Sequence, residues 1–355
     1  MKVALIGLAQ SGKTTIFSAI SGRAMLAGGT AIEEAIVSVP DSRLDWLTEH
    51  YKPRKTTHAS IDCLDVPGFN FTDEHGRAGA RRLIGQLRTM DLLVLVLRAF
   101  QNPDVAPYRG RVDPTKDLAE LQTELLLSDL ELVATRIDKL EKQLHKPTAT
   151  VAHDKAELAL HKKLQQAIES ERPISSAIET DAERETIKSL GFLTLKPIVV
   201  AVNADEKQLN AAFDFAGRLD SAVPVMTICA RLERELAQLD AQTRAEFMAD
   251  LGLKESAVGK FVNGCYSSLG LISFFTVISD EVRAWPIKAG AIALDAAGKV
   301  HTDIKRGFIR AETFAFEDLR QFGSDKALKA VGKVHLQGKD YVVCDGDVIH
   351  FRFNV

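Results

Sequence analysis

Short apolar runs alternate with stretches of helical spacing over most of the chain. The runs are rich in Val, Ile and Leu, as expected of strands that are buried on both faces of a sheet. Helical stretches separate many of them, so the pattern predicts an α/β fold with a mostly parallel open sheet and a ligand at the carboxyl ends of the strands. The runs are Val3–Ile6, Ala35–Val39, Ile61–Leu64, Leu92–Leu97, Ile198–Val202 and Val223–Ile228.

The segment 114–190 interrupts this alternation with two long helical patterns. The first pattern stops at Pro147, because proline cannot continue a helix, and the second ends near Pro173. Two such helices predict an inserted antiparallel hairpin, which is either an ordinary packed pair or an arm that binds a partner. The seam of the first helix has the three-and-four spacing of a coiled coil, at Leu130, Val133, Ile137, Leu140 and Leu144.

The C-terminal residues have a different sequence pattern from the rest of the chain. Residues 235–269 predict further helix, and short strand patterns with turn signals such as Asp345-Gly346-Asp347 follow. We therefore expect a small separate α+β domain at the C-terminus. Its strand patterns are Ile272–Ile278, Phe308–Ala311, Tyr341–Cys344 and Val348–Phe353. The predicted domains are the α/β domain (1–113 and 191–271), the hairpin (114–190) and the C-terminal domain (272–355).

Residues 7–14 form an unbroken G-x-x-x-x-G-K-T phosphate-binding loop between the first strand and a helix-compatible stretch. Glycines let backbone N–H groups point at an anion, and the helix N-terminus adds donors and a positive dipole end. Lys13 is expected to bridge the terminal phosphates, and the Thr14 hydroxyl to bind Mg²⁺. The alternative is a glycine-rich turn. The predicted phosphate contacts come from Gly7, Ala9, Gln10, Ser11, Gly12, Lys13, Thr14 and Thr15.

Two further motifs follow later strands of the predicted sheet. Asp65-Val66-Pro67-Gly68 is a D-x-x-G element, in which Asp65 would hold Mg²⁺ through water and the Gly68 N–H would sense the terminal phosphate. Cys229 and Ala230 follow the strand that ends at Ile228, where small residues with free N–H groups would contact the base.

Asn203-Ala204-Asp205-Glu206 stands where a GTPase has N-K-x-D. Glu206 replaces the aspartate that accepts two hydrogen bonds from guanine, and Ala204 replaces the lysine. This departure argues against strict use of GTP. Asp205 could serve guanine in a shifted register, and a plain polar turn is the remaining alternative.

Composition and charge narrow the function classes. A net charge of −3 over 355 residues disfavours a globally basic nucleic-acid-binding protein and leaves room for a local basic face. The four cysteines lack metal-ligand spacing, which is typical of reduced buried thiols. The strongly apolar run Leu92–Leu97 is too short to span a membrane, and Met1-Lys2 leads directly into the first strand without a signal peptide. We therefore expect a cytoplasmic protein without membrane association.

Taken together, these features resemble the Obg-like ATPase family, specifically its YchF subfamily. The resemblance covers essentially the whole chain. It implies a G domain, the inserted hairpin and a C-terminal TGS domain of β-grasp type. The segments that carry it are Val39–Leu44, Leu193–Pro197, Glu281–Trp285, His301–Asp303, Gly307–Glu312, Gly338–Tyr341 and Phe351–Val355.

The resemblance also implies ligands and partners. ATP would bind at least as well as GTP, with Mg²⁺ as cofactor and with Asn203 and Glu206 in the base-reading motif. Family members associate with ribosomes, and the resemblance implies that the hairpin and the TGS domain contact RNA or the ribosome. We expect a monomer with these partners.

The chain differs from GTPases, and at two places from the resembled family, where the nucleotide should react. Phe69 stands where many GTPases have a glutamine that orients the attacking water, and an apolar residue there is the norm of the resembled family. The family often has a histidine before the hairpin, whereas Pro107 and Tyr108 lie in the matching segment here. His75 is the first candidate to replace that histidine and Tyr108 a weaker one, although an exposed loop residue is the plainer interpretation of His75. In the divergent first switch region, Thr30 is the nearby hydroxyl candidate for Mg²⁺.

Three functions remain open on the sequence alone. The first is a slow ATPase that acts as a nucleotide-dependent switch on the translation machinery. The second is a module that binds nucleotide with little or no turnover. The third is an RNA or ribosome scaffold in which the basic residues of the C-terminal domain form the contact face.

Overall fold

A computed structural model describes residues 1–23, 31–145, 151–250, 256–278 and 280–354. They form two compact units, one made of 1–35 with 63–258 and the other of 36–62 with 259–355. Residues 36–62 therefore group with the C-terminal part of the chain, although the sequence-based division assigned them to the α/β domain. The division into G domain, hairpin and TGS domain stays a prediction.

The strands and helices alternate as the apolar pattern predicts. The strands are β1 (Lys2–Ile6), β2 (Glu33–Ser38), β3 (Lys55–Thr57), β4 (Ser60–Asp65), β5 (Leu92–Arg98), β6 (Ile198–Asn203), β7 (Val225–Ile228), β8 (Leu271–Ile278), β9 (Glu281–Lys288), β10 (Phe308–Ala315), β11 (His335–Gln337) and β12 (Asp347–Phe353). The helices are α1 (Lys13–Ser21), α2 (Ser42–Tyr51), α3 (Glu74–Gln86), α4 (Pro114–Leu144), α5 (Val151–Glu169), α6 (Asp181–Lys188), α7 (Ala230–Leu236), α8 (Ala241–Asp250), α9 (Ala257–Ser268), α10 (Ala293–Val300), α11 (Thr302–Arg306), α12 (Phe316–Phe322) and α13 (Asp325–Ala330). Single 3₁₀ turns lie at Leu87–Thr89, Tyr108–Gly110, Ile174–Ala177, Leu193–Leu195 and Glu206–Gln208.

The first sheet has the strand order β2-β4-β1-β5-β6-β7. β1, β5, β6 and β7 pair in parallel, so their carboxyl ends meet at one edge. β5 is buried along all of its length, which explains its continuous apolar sequence. The mostly parallel sheet is thus confirmed, and it places the loops after β1, β5, β6 and β7 side by side.

The predicted hairpin is confirmed as two consecutive helices that pack together. α4 begins at Pro114 behind Asp113, whose side chain accepts the Lys116 N–H as an N-cap. Pro147, the predicted helix stop, lies outside the described residues. The buried seam of the pair contains Val133, Ile137, Leu160, Leu164 and Ile168.

The second sheet has the order β11-β10-β12-β8-β9-β3. β8 and β9 form an antiparallel hairpin, β12 pairs with β8 in parallel, and β10 is antiparallel to β12. α10, which follows β9, packs Ala293, Ala296 and Ala297 against Phe274 and Trp285. A helix across a mixed sheet with this strand order is the expected β-grasp fold.

One segment of the C-terminal half differs from the sequence pattern. Tyr341–Cys344 is not a strand, and only Val342 makes an isolated bridge, to Ile292. Asp347 accounts for this, because its carboxylate accepts hydrogen bonds from the Tyr341 hydroxyl at 2.8 Å and the Cys344 N–H at 2.9 Å. The turn is thereby fixed by a side chain instead of a strand ladder.

Candidate nucleotide-binding site

The phosphate-binding loop is built around glycines that no side chain could replace. Gly12 caps the start of α1 with a φ of 85°, which is the left-handed region. A Cβ at Gly12 would clash with Nδ2 of Asn203, and one at Gly7 with the carbonyl of Val96. At Gly68 a Cβ would lie 2.8 Å from Cα of Ala9. Gly68 of the D-x-x-G element therefore lies directly against the phosphate-binding loop.

Lys13 folds back into the loop that precedes it. Its Nζ donates to the carbonyls of Gly7 and Leu8, both at 3.2 Å, and to Oγ of Ser11 at 3.5 Å. Burial lowers the pKa of Lys13 to about 8, although the nearby Asp65 carboxylate opposes the shift. The ammonium group is thus held by uncharged acceptors at long hydrogen-bond distances, and a bound phosphate could replace them.

Asp65 ends β4 as an almost fully buried carboxylate. Its Oδ1 has no hydrogen-bond partner among the described residues. Burial raises the pKa of Asp65, and the Thr14 hydroxyl and the Lys13 ammonium offset part of that shift. A buried carboxylate oxygen without a partner beside a threonine hydroxyl fits the protein side of a Mg²⁺ site, because Mg²⁺ commonly takes one or two protein ligands plus phosphate oxygens. Within the described ranges, no group of three or more acidic, His or Cys side chains forms a complete metal site.

Asn203 connects the phosphate-binding loop with two later segments. Its Nδ2 donates to the carbonyl of Ser11 at 3.1 Å, and its Oδ1 accepts the N–H of Ala230 at 3.1 Å. The side chain is buried. One amide therefore fixes the distance between the phosphate end of the site and the segment predicted to contact the base.

A cavity of about 940 Å³ lies at the junction that Asn203 makes. All four residues that the sequence assigns to the base border it, together with three of the eight assigned to the phosphates. Glu206 lies on its rim and is exposed. The predicted residues on its lining are Gln10, Gly12, Thr15, Asn203, Glu206, Cys229 and Ala230.

Asp205, the alternative base reader, also borders this cavity, but its carboxylate already has a partner. Its Oδ2 accepts the N–H of Gln101 at 3.0 Å. The Asp205 N–H donates to Oε1 of Gln208 at 3.1 Å, which closes the 3₁₀ turn at Glu206–Gln208. This geometry gives Asp205 a structural role in the turn and leaves Glu206 as the carboxylate of the motif that faces outward.

The sequence patterns do not identify two further parts of the site, which are the loop after β5 and the residue Arg98 that binds it. Residues 100–105 line the same cavity, as do Arg231 and Arg234 of α7. Arg98 is buried beneath that loop. The one available signal was a charged residue that directly continues the apolar run Leu92–Leu97.

The side chain of Phe69 points into the core. It occupies the position at which many GTPases have a glutamine that orients the attacking water. It is fully buried, with its ring 5.9 Å from that of Phe71. Its N–H donates to the Gly7 carbonyl at 3.0 Å and its carbonyl accepts the Ala9 N–H at 2.8 Å. Phe69 therefore joins the segment that follows the D-x-x-G element, which we call the second switch segment, to the phosphate-binding loop through its main chain.

The structure does not show either candidate for the missing histidine, His75 or Tyr108, in a catalytic arrangement. The Tyr108 hydroxyl accepts the N–H of Phe71 at 3.1 Å and donates to Oε1 of Glu120 at 3.0 Å. His75 is exposed in the first turn of α3. Its catalytic role stays a prediction, and Thr30 lies outside the described residues.

Known proteins match this chain over its full length. Residues 271–354 match the family model YchF-GTPase_C, described as "Protein of unknown function (DUF933)". The chain is 37% identical to "Ribosome-binding ATPase YchF" of Bacillus subtilis, over 99% of this chain and 98% of that protein. The chain belongs to the YchF subfamily of the Obg-like ATPases. Its identity to "Obg-like ATPase 1" of Bos taurus is 33%, over 100% of this chain and 92% of that protein.

A solved member of the family has the same fold. The "Structure of the Schizosaccharomyces pombe YchF GTPase" matches with a TM-score of 0.84 and 29% identity, over 99% of this chain and 97% of that one. The family resemblance and the combination of α/β and β-grasp folds expected from the sequence are thereby confirmed. Across the described part of the chain, no helix is both long and apolar enough to cross a bilayer.

Proposed function

We propose that this YchF-family protein is a nucleotide-dependent switch that binds Mg-ATP, hydrolyses it slowly and associates with the ribosome in the cytoplasm. The observation that carries the proposal is the Asn203 side chain, which joins the phosphate-binding loop to the cavity beside Glu206 and Ala230. Such a site accommodates a triphosphate at one end and a base at the other.

The residues at the phosphate end suit the chemistry of a P-loop NTPase. Lys13 would exchange its carbonyl partners for phosphate oxygens, and Thr14 and Asp65 would hold Mg²⁺. When bound, Mg²⁺ supplies positive charge that offsets charge on the transferring phosphoryl group. Lys13 and the N–H groups of the loop would contribute to the same stabilisation.

Slow turnover follows from the second switch segment. The buried ring of Phe69 offers no hydrogen bond to an attacking water, and the Tyr108 hydroxyl is engaged by Phe71 and Glu120. His75 is the remaining candidate to polarise water. The second candidate function, a nucleotide-binding scaffold with little or no hydrolysis, rests on these same features.

ATP is the nucleotide that we favour, with GTP as the competitor. Glu206 and Ala204 depart from the pair that reads guanine in N-K-x-D motifs. The names of the relatives differ on this point, since the Bacillus subtilis protein is called an ATPase and the Schizosaccharomyces pombe protein a GTPase. Calorimetric titration with ATP and with GTP measures the affinity for each nucleotide and so decides which one the protein prefers.

We propose association with the ribosome because the bacterial relatives are named ribosome-binding ATPases. We assign the contacts to the helical hairpin and the β-grasp domain, and we expect the chain to act as a monomer. Co-sedimentation with ribosomes over a salt series tests this assignment, because phosphate contacts weaken steeply as salt increases. Binding that is unchanged in a chain without residues 275–355 would exclude the β-grasp domain as the contact.

Single-turnover hydrolysis of ATP tests the activity itself. Wild type, Lys13→Ala and His75→Ala are compared with and without ribosomes, each from several preparations. The ATPase proposal predicts turnover that Lys13→Ala abolishes. Equal rates in wild type and Lys13→Ala would refute it, and tight binding without turnover under every condition would favour the scaffold.

A further inference from the structure

Arg98 is a buried cation whose hydrogen-bond acceptors, within the described part of the chain, are all main-chain carbonyls. It ends β5 with 2% of its surface exposed. Its Nε donates to Phe100 at 3.2 Å, and one terminal nitrogen donates to Val105 at 2.8 Å. The other terminal nitrogen donates to Gln10 at 3.3 Å and to Ala106 at 3.4 Å. A single guanidinium group thus joins the phosphate-binding loop to both ends of the segment 100–106.

The base-reading motif, Asn203–Glu206, holds the segment 100–106 from its other side. The N–H groups of Ala99 and Phe100 donate to the Asn203 carbonyl at 2.7 and 3.1 Å. The N–H of Gln101 donates to the Asp205 carboxylate at 3.0 Å. Most of this segment lines the cavity. Its position, and so the shape of the cavity, therefore depends on Arg98 beneath it and on the base motif beside it.

The ring of Phe100 connects Arg98 with the phosphate-binding loop a second time. The Arg98 guanidinium carbon lies 4.3 Å from the centroid of that ring, which is a cation–π contact. A Cβ at Gly12 would be 3.4 Å from the same ring. The planar fork of arginine can stack on the ring and donate in several directions at once, whereas a lysine ammonium is a point charge that cannot do both.

We propose that Arg98 is a positioning residue of the nucleotide site, which holds the segment 100–106 against the phosphate-binding loop and thereby sets the shape of the cavity. One consequence of the proposal is a weaker affinity for ATP when Arg98 is changed. This consequence rests on the proposed nucleotide-binding function. The positioning itself is a property of the chain without nucleotide and can be measured separately.

Amide hydrogen exchange in the chain without nucleotide tests the positioning. In Arg98→Lys, the amides of Ala99, Phe100 and Gln101 should exchange about tenfold faster, as expected when roughly one charged hydrogen bond is lost, while those of Leu93–Leu97 stay protected. Unchanged exchange in the segment would overturn the proposal. Equal acceleration of the segment and of β5, or failure of the variant to fold, would also overturn it, since either result indicates a role in overall stability alone.

Arg88→Lys is the matched control. Arg88 is another largely buried arginine of the same unit, and it binds Asp129, Ser128 and Gly191 instead of the cavity segment. Its replacement should leave exchange in residues 99–101 unchanged. Faster exchange there in both variants would contradict a specific role of Arg98.

Calorimetric titration with Mg-ATP tests the functional consequence. Arg98→Lys should bind about tenfold more weakly than wild type, and Arg88→Lys should bind as wild type does. Equal affinity of wild type and Arg98→Lys would refute the link to nucleotide binding. A wild-type chain that bound no nucleotide would overturn the proposed function, and the exchange data would still decide what Arg98 holds in place.

Discussion

Asn203 donates a hydrogen bond from Nδ2 to the carbonyl of Ser11 at 3.1 Å, across 192 positions of sequence. The same side chain accepts the Ala230 N–H through Oδ1. Three segments that follow three different strands are therefore fixed by one buried amide. Asn203 thus keeps a structural role in the site although the rest of its motif differs from N-K-x-D.

Asn203→Asp should weaken ATP binding by about ten- to a hundredfold, because the lost donor leaves a carboxylate facing the Ser11 carbonyl in a buried site. Isothermal titration calorimetry measures the affinity, and circular dichroism checks the fold. The exposed Asn210 is the control, since Asn210→Asp makes the same chemical change outside the cavity. Equal losses in both variants, or no loss in Asn203→Asp, would contradict this assignment.

Gly12→Ala and Gly22→Ala separate backbone strain from steric exclusion at the two ends of α1. Both glycines have positive φ, 85° and 66°, so alanine costs similar strain of about 1–2 kcal/mol at each. A Cβ at Gly12 clashes with Asn203, whereas one at Gly22 meets no atom of the described residues within 4 Å. Nucleotide titration should show binding lost in Gly12→Ala and retained in Gly22→Ala. Similar affinities would mean that the glycine cradle does not shape the site.

Asp129 should be among the most costly residues to remove, because it joins α4 to the segment that returns to the sheet. It is fully buried and accepts hydrogen bonds from Arg88, from the N–H groups of Leu193 and Thr194 and from the Thr194 hydroxyl. Asp129→Ala leaves Arg88 without its carboxylate and should lower the free energy of unfolding by about 3–5 kcal/mol in urea titrations.

Glu131→Ala is the control for Asp129, on the same helix. Glu131 is mostly exposed and faces Arg81 at 3.6 Å, a geometry that contributes little to stability. Its removal should leave the unfolding midpoint almost unchanged. A comparable loss in both variants would indicate that the charge of α4, and not the Asp129 junction, stabilises the hairpin.

His161 should make the chain less stable in mild acid. Its ring is fully buried, Nδ1 bonds to the Glu157 carbonyl at 2.9 Å, and Nε2 has no partner among the described residues. Burial, together with the charge of Arg136, holds its pKa below the ordinary 6.5, although the Glu157 carbonyl and carboxylate oppose this. The unfolded chain then binds the proton more readily, so stability falls as pH drops through about 6.5 and below.

His161→Leu removes this dependence while keeping the site apolar. The free energy of unfolding of wild type minus that of His161→Leu should be constant above about pH 7 and should fall as the pH drops to 5. Urea titrations at several pH values measure the difference. A difference that stays flat from pH 8 to pH 5 would show that His161 is not protonated preferentially on unfolding.

Local signals explain what could be predicted from the sequence. Gly7–Thr14, Asp65 and Asn203 each follow an apolar strand, and the parallel sheet brings strand ends together, so their proximity follows from the pattern. Arg98 escaped prediction because it binds main-chain carbonyls, which have no sequence signature. Tyr341–Cys344 was wrongly predicted as a strand because its apolar residues resemble one, whereas the Asp347 carboxylate holds a turn there.

Long-range strand pairing is the second reason why the structure differs from the predictions made from the sequence. β3 carries no strong apolar pattern, and its place is decided by parallel pairing with β9, from Lys55–Glu281 to Thr57–Arg283. This pairing groups residues 36–62 with the C-terminal unit. No local feature of the segment indicates that partner, so the sequence-based boundary was drawn without it.

A crystal structure with Mg²⁺ and a non-hydrolysable ATP analogue tests the nucleotide site most directly. We expect the triphosphate at Gly7–Thr15, with Lys13 on its terminal phosphates, Mg²⁺ beside Thr14 and Asp65, and the base in the cavity next to Glu206 and Ala230. An analogue bound elsewhere, or a base whose edge meets no protein group in that cavity, would contradict this expectation.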